Sequence, residues 1–193
     1  ADFSLGATRL SIVGIEDGRQ PLSNETGTVW AVQNGELYNY PSIRPQLLTR
    51  GHKLHTRCDT EILPHLYEEH GTRLVEHIDG MFAVAIWDDA KKLGILARDR
   101  IGKKPLYYYQ NNGALYFSSG IKALLSVPAF ERRINLSALN NYFSFNNVPC
   151  PLSIFEGIRQ LPPAHMLVFR PGRDIEIRRY WDVDFSESNE LNG

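Results

Sequence analysis

Two cysteines in 193 residues, Cys58 and Cys150, lie far apart, with no CxxC spacing and no neighbouring histidine pair. That scarcity excludes a disulfide framework, and neither cysteine belongs to a recognisable zinc motif. The six histidines (52, 55, 65, 70, 77 and 165) show no metal-ligand spacing of their own, and His65 and His70 fall off a common helix face; no metal site is expected. No apolar run approaches the roughly 18 residues that a membrane-crossing helix needs. The opening Ala1-Asp2-Phe3-Ser4 has neither the basic nor the apolar region of a signal peptide. A reducing cytoplasm is the default. Charge is also balanced in sign: the net value is −1, and no basic run is longer than a pair such as Lys103-Lys104 or Arg178-Arg179. Nucleic acid and anionic membrane are therefore not expected partners. With 42% hydrophobic and 22% charged residues, the chain suits one soluble globular domain with a real core.

The apolar pattern alternates between strand and helix signals. Thr28 to Gln33 is β-branched and aromatic and stops at Asn34-Gly35, which predicts a strand ending in a tight turn. Tyr40 to Arg50 carries a weak helical stripe (Ile43, Leu47, Leu48). Thr60 to His70 carries a stronger one (Ile62, Leu63, Leu66, Tyr67), with Asp59 as the expected N-cap and Gly71 closing it. Met81 to Trp87 is continuously apolar, as in a strand covered on both faces, and Leu93 to Ala97 is its expected return. Asn111-Asn112-Gly113 signals a hairpin between Leu106–Gln110 and Ala114–Ser118. Short helices are predicted at Ile121–Leu125 and at Leu136–Phe143, the latter capped by Asn135 or Ser137. A last hairpin turns at Pro171-Gly172. Ser186 to Gly193 is polar and reads as a linker or frayed end.

Three strings carry more information than their parts: Asn34-Gly35-Glu36-Leu37-Tyr38-Asn39-Tyr40, Cys58-Asp59-Thr60-Glu61, and Arg98-Asp99-Arg100-Ile101-Gly102 running on to Pro105-Leu106-Tyr107-Tyr108. Singly, each has a plain reading: a turn, a helix cap, an ion-paired turn. In this order and spacing they resemble the glutamine-hydrolysing domain of class II amidotransferases, and most closely that of glutamine-dependent asparagine synthetases. The resemblance runs from about Arg9 to Asp182. It implies an α+β N-terminal-nucleophile hydrolase fold, a four-layer αββα sandwich of two antiparallel sheets between helical layers, here without its first part. Residues 1–185 would form the amidotransferase domain. Residues 186–193 would lead toward a synthetase domain that the sequence does not contain.

The resemblance also implies roles. The Asn34 side-chain amide and the Gly35 backbone N–H would form the oxyanion hole, since fixed neutral donors stabilise a tetrahedral oxyanion without reorganising. Glu36 and Asp59 would hold the α-ammonium of free glutamine by charge-assisted hydrogen bonds. Arg9, in its Arg9-Leu10-Ser11-Ile12-Val13 setting, would grip the α-carboxylate bidentately. Arg98-Asp99-Arg100 would be an ion-paired support for the pocket floor. The family domain opens with a nucleophilic cysteine, whose own α-amine is the base, in a segment ahead of the counterpart of Leu5. This chain opens with Ala1-Asp2-Phe3, so 1–193 by itself is expected to be inactive. Gly14 and Gly120 replace an aspartate and a glutamate usual in the family. L-glutamine is the implied partner, together with an ATP-pyrophosphatase-type synthetase domain, and a homodimer is allowed. No cofactor is expected in this chain; ATP and Mg²⁺ would belong to the synthetase domain. The other reading is a non-catalytic glutamine-binding or scaffolding domain of the β-lactam-synthetase kind.

Overall fold

The computed structural model describes residues 3–7, 17–128 and 130–185. Its centre is the pair β2 (Val29–Leu37) and β3 (Gly80–Asp88), antiparallel along their whole length, with Asn34 opposite Ala83 and Gly35 opposite Phe82. Side chains alternate across these strands, and both faces are covered. Val29, Ala31 and Leu37 of β2, with Phe82, Val84 and Ile86 of β3, pack against Ile43, Leu47, Ile62, Leu63 and Leu66. These last five come from helices α1 (Tyr40–Thr49) and α2 (Ile62–His70). The opposite set, Val32, Ala83 and Ala85, joins Leu106, Tyr108 and Leu161 in a second apolar layer. The continuous apolar run at 81–87 thus forms the doubly covered strand that its composition predicts.

The first sheet has the order β1 (Leu22–Ser23), β2, β3, β4 (Leu93–Arg98), β8 (His165–Phe169), β9 (Glu176–Arg179). The second has the order β6 (Ala114–Ser118), β5 (Tyr107–Asn111), β7 (Ile158–Gln160). All pairings are antiparallel. The β5–β6 hairpin turns on Asn112 and Gly113, with φ of 49° and 76°, the paired positive values of a type I′ turn. On the far side of the second sheet, α3 (Ile121–Leu124) and α4 (Leu136–Phe145) face Tyr107 across a cavity. Helix, sheet, sheet, helix is the layer order, as expected. Asn135, rather than Ser137, caps α4 by accepting from Ala138 N at 3.1 Å.

Three local expectations change. The strand at 28–33 does not turn at Asn34-Gly35 but runs on to Leu37. Asp59 does not cap α2: it opens a 3₁₀ turn (Asp59–Glu61) whose carboxylate faces the sheet, and Glu61 occupies the cap position without a side-chain cap bond. Arg98-Asp99-Arg100 is chiefly a backbone-binding motif rather than an ion-paired one. Buried Asp99 accepts from Phe82 N, Ile101 N, Lys103 N and Lys104 N at 2.9–3.2 Å. Buried Arg98 donates to the carbonyls of Gly102, Lys104 and Leu161 at 2.7–2.8 Å, which ties the two sheets together. Among the described residues, ion pairing in this motif is confined to Arg100 with Asp79.

Candidate active site

The site forms at the open edge of β2. Strand N–H groups alternate in direction. Tyr38 N donates to Asp79 O at 2.7 Å and Asp89 N to Thr28 O at 2.9 Å, which marks the even positions of this strand as those facing β3. The odd positions face the other way. There β1 pairs only with Trp30 and Ala31, so no strand among the described residues covers the edge beyond them. Side chains cover it instead: Gln20 Oε1 accepts from Gln33 N at 2.6 Å and Asp59 Oδ2 from Leu37 N at 2.9 Å. Gly35 lies between these two, and the alternation aims its N–H at the same edge.

Gly35 is needed there for a reason other than a turn. Its φ is +142°, and a Cβ at this position would come within 1.9 Å of Met81 O. Only glycine lets β2 pass so close to β3 in this conformation. Asn34, on the face toward the second sheet, lines a cavity of about 580 Å³ with Val32, Ala85, Leu106, Phe117 and Ser118. Partly buried Glu36 follows Asn34 by two positions and so shares its face. Asp59 approaches from the helix layer. It is buried, and Oδ2 also accepts from Gln33 Nε2 at 2.9 Å. The two carboxylates thus flank the Asn34-Gly35 step from different sides, one exposed enough to meet a ligand and one already holding two internal donors.

Arg9, Leu10, Ser11, Ile12 and Val13, with Gly14, lie outside the described residues. Both flanks of that segment touch the site. Gly6 and Ala7 line the Asn34 cavity. On the far flank, Asp17 Oδ2 accepts from Arg57 N at 3.1 Å, and Gln20 Nε2 donates to Thr60 Oγ1 at 3.0 Å beside Asp59. Gln33 and Gln20 belong to the site and were not singled out from the sequence. Nothing in the string Gln33-Asn34-Gly35 distinguishes a glutamine that braces a carboxylate from an ordinary strand residue. Gln33 Oε1 is buried without a hydrogen-bond partner.

Neither cysteine lines the Asn34 cavity. Cys58 is fully buried, its Sγ 3.6 Å from Asp59 Oδ1. Cys150 lines a different cavity, with Tyr107, Ile121, Leu139 and Tyr142 on the outer side of the second sheet. Burial raises the pKa of its thiol, and Arg98 only partly opposes this, so the reactive thiolate is disfavoured. Cys150→Ala is accordingly expected to leave unchanged any glutamine hydrolysis that this domain supports. A glutamate-release assay in which this variant abolished the rate would make Cys150 the nucleophile.

A buried acid bracing Leu37 N and the Gln33 side chain, a glycine at an open strand edge and an amide side chain on a cavity thus come together between two antiparallel sheets, in a fold of the N-terminal-nucleophile hydrolase type. The chain belongs to the glutamine amidotransferase domain family, which it matches over residues 1–181. Its curated relatives include asparagine synthetase [glutamine-hydrolyzing] 3 of Bacillus subtilis, 39% identical over 184 residues, covering 93% of this chain and 30% of that protein. Amidase chry2 of Gibberella zeae is 33% identical over 184 residues, covering 95% of this chain and 27% of that one. The chain thus spans about 30% of the length of the first of these relatives and is homologous to the glutaminase part of asparagine synthetases. Among solved structures, a glutamine phosphoribosylpyrophosphate amidotransferase of B. subtilis shares the fold, with TM-score 0.56 and 21% identity over 84% of this chain and 32% of that one. Among the described residues no helix is long and apolar enough to cross a membrane.

Proposed function

We propose that this domain binds free L-glutamine at the β2 edge and, in a protein that supplies the terminal cysteine, hydrolyses it to glutamate and ammonia. The observation that carries the reading is the pairing at Asn34-Gly35: a side-chain amide on a cavity and an N–H held at an open strand edge, both neutral donors fixed by the sheet. The tetrahedral intermediate of amide hydrolysis develops negative charge on one oxygen, and donors that need not move stabilise it most. Glu36 supplies an anion for the substrate ammonium. Asp59 acts first as a brace for Gln33 and Leu37 through Oδ2, and its carboxylate, whose Oδ1 meets Cys58 Sγ, is the second anion. Arg9 is assigned to the α-carboxylate. Recognition of both charges selects a free amino acid over a glutaminyl side chain within a protein.

Attack by the thiolate on the side-chain carbonyl would form the C–S bond and push charge onto the oxygen facing Asn34 and Gly35. Collapse would expel ammonia, and water would then release glutamate. In the longer protein the ammonia would be passed to a synthetase domain that amidates aspartate with ATP and Mg²⁺.

Titration calorimetry tests the binding half. Free L-glutamine should bind, N-acetyl-glutamine amide should not, and Arg9→Ala should weaken glutamine binding. Equal affinity of Arg9→Ala and the parent would remove Arg9 from the site, and equal affinity for the blocked analogue would remove the zwitterion reading.

A further inference from the structure

The histidine spacing that holds no metal motif along the chain forms one in space. Glu25, from the turn after β1, His52, from the loop after α1, and His65 and Glu68, both on α2, bring their ligand atoms within 4.8 Å of one another. The individual separations are tighter. The two Nδ1 atoms of His52 and His65 are 3.2 Å apart. Glu25 presents one carboxylate oxygen to each ring, both at 3.4 Å. Glu68 Oε2 is 3.7 Å from His52 Nδ1 and 3.6 Å from His65 Nδ1. A tetrahedral ion with bonds of about 2.0–2.1 Å sets its ligand atoms about 3.3–3.4 Å apart. The three mutual separations of His52 Nδ1, His65 Nδ1 and Glu68 Oε2 match this to within a few tenths of an ångström. Glu25, which meets each ring with a different oxygen, brings one ligand oxygen within 4.8 Å of all three.

The surrounding contacts orient the four ligands inward. Asn24 Nδ2 donates to Glu68 Oε1 at 2.8 Å, leaving Oε2 to the cluster. Lys53 N donates to Glu25 Oε1 at 2.6 Å. Glu69 Oε1 lies 3.1 Å from His52 Nε2, and its other oxygen is held by Arg50 at 2.8 Å. A carboxylate on Nε2 keeps the proton there and leaves Nδ1 as a bare lone pair, the second-sphere arrangement of metal-bound histidine. The His65 side chain is fully enclosed, and its Nε2 has no partner, so among the described residues its ring is held through Nδ1, which faces the cluster. Two imidazole nitrogens face each other between two carboxylates, an arrangement that a bound cation would satisfy.

We propose that Glu25, His52, His65 and Glu68 form a four-ligand site for a divalent transition metal, with Zn²⁺ as the fitting ion. Histidine and carboxylate donors in a tetrahedral set suit Zn²⁺. Four protein ligands leave no open position, so the site is structural. It clamps the turn after β1 and the loop after α1 to α2, the helix that continues directly from Asp59–Glu61. It is separate from the β2-edge site and stands whether or not that site hydrolyses glutamine.

The test uses the full chain carried on a non-histidine affinity tag, stripped with chelator and titrated with Zn²⁺ and, separately, Co²⁺. One equivalent of each ion is expected to bind, with the intense visible absorption of tetrahedral Co²⁺ and a rise in Tm with Zn²⁺. His52→Gln and Glu68→Gln, both at partly exposed positions that leave the core intact, should abolish stoichiometric binding. Glu69→Ala should weaken it by about 10- to 100-fold. Absence of stoichiometric Zn²⁺ binding, octahedral Co²⁺ spectra, or undiminished binding in both ligand variants would overturn the proposal and leave a proton-sharing cluster.

Discussion

Asn34→Ala is expected to lower kcat for glutamine hydrolysis by about 100- to 1000-fold in the protein that supplies the nucleophile, as loss of one oxyanion donor does elsewhere. KM for glutamine should change little, because the oxyanion exists only in the transition state and the ground-state carbonyl needs no such donor. The fold should survive. Asn34 is exposed on the cavity face, and truncation there empties no part of either apolar layer. Steady-state glutamate release, with circular dichroism to confirm folding, separates the outcomes. An Asn34→Ala enzyme with unchanged kcat would remove Asn34 from the chemistry and leave it an ordinary strand residue.

Gly35→Ala should destabilise the domain by about 3 kcal/mol or more, from a strained φ together with overpacking. The new Cβ would meet Met81 O at 1.9 Å and Phe82 Cα at 2.8 Å. Both are backbone atoms in the central strand pair, so relief would require β2 and β3 to move apart. Gly51→Ala is the matched control, for its φ of +95° is also unfavourable but nothing lies within 4 Å of the added methyl. Urea unfolding should show a far larger loss at Gly35 than at Gly51. Similar losses at both would mean that backbone conformation alone, not close strand approach, explains the glycine.

The elements were largely legible in the sequence because their signals are local. The unbroken apolar run at 81–87 names a doubly covered strand, Asn112-Gly113 names a hairpin turn, and Gly71 closes α2 with φ of 59°. The motif strings likewise point to Asn34-Gly35 and Asp59, which the structure brings to one stretch of β2. Other decisions required the tertiary structure. Asn-Gly is chemically a turn signal, and only the pairing of Gly35 with Phe82 across a full-length ladder keeps the chain extended there. Asp59 stands where an N-cap would stand, yet an uncovered strand edge offers it Leu37 N and the Gln33 side chain, and a buried carboxylate takes the donors that need it most. Arg98 and Asp99 look like partners because their charges are opposite, but each is surrounded by backbone groups of matching polarity once the two sheets meet. Glu25, His52, His65 and Glu68 are drawn from residues 25–68 with no common period. Their convergence depends on how α1 and α2 pack on the sheet, a relation between elements that no single stretch of sequence records.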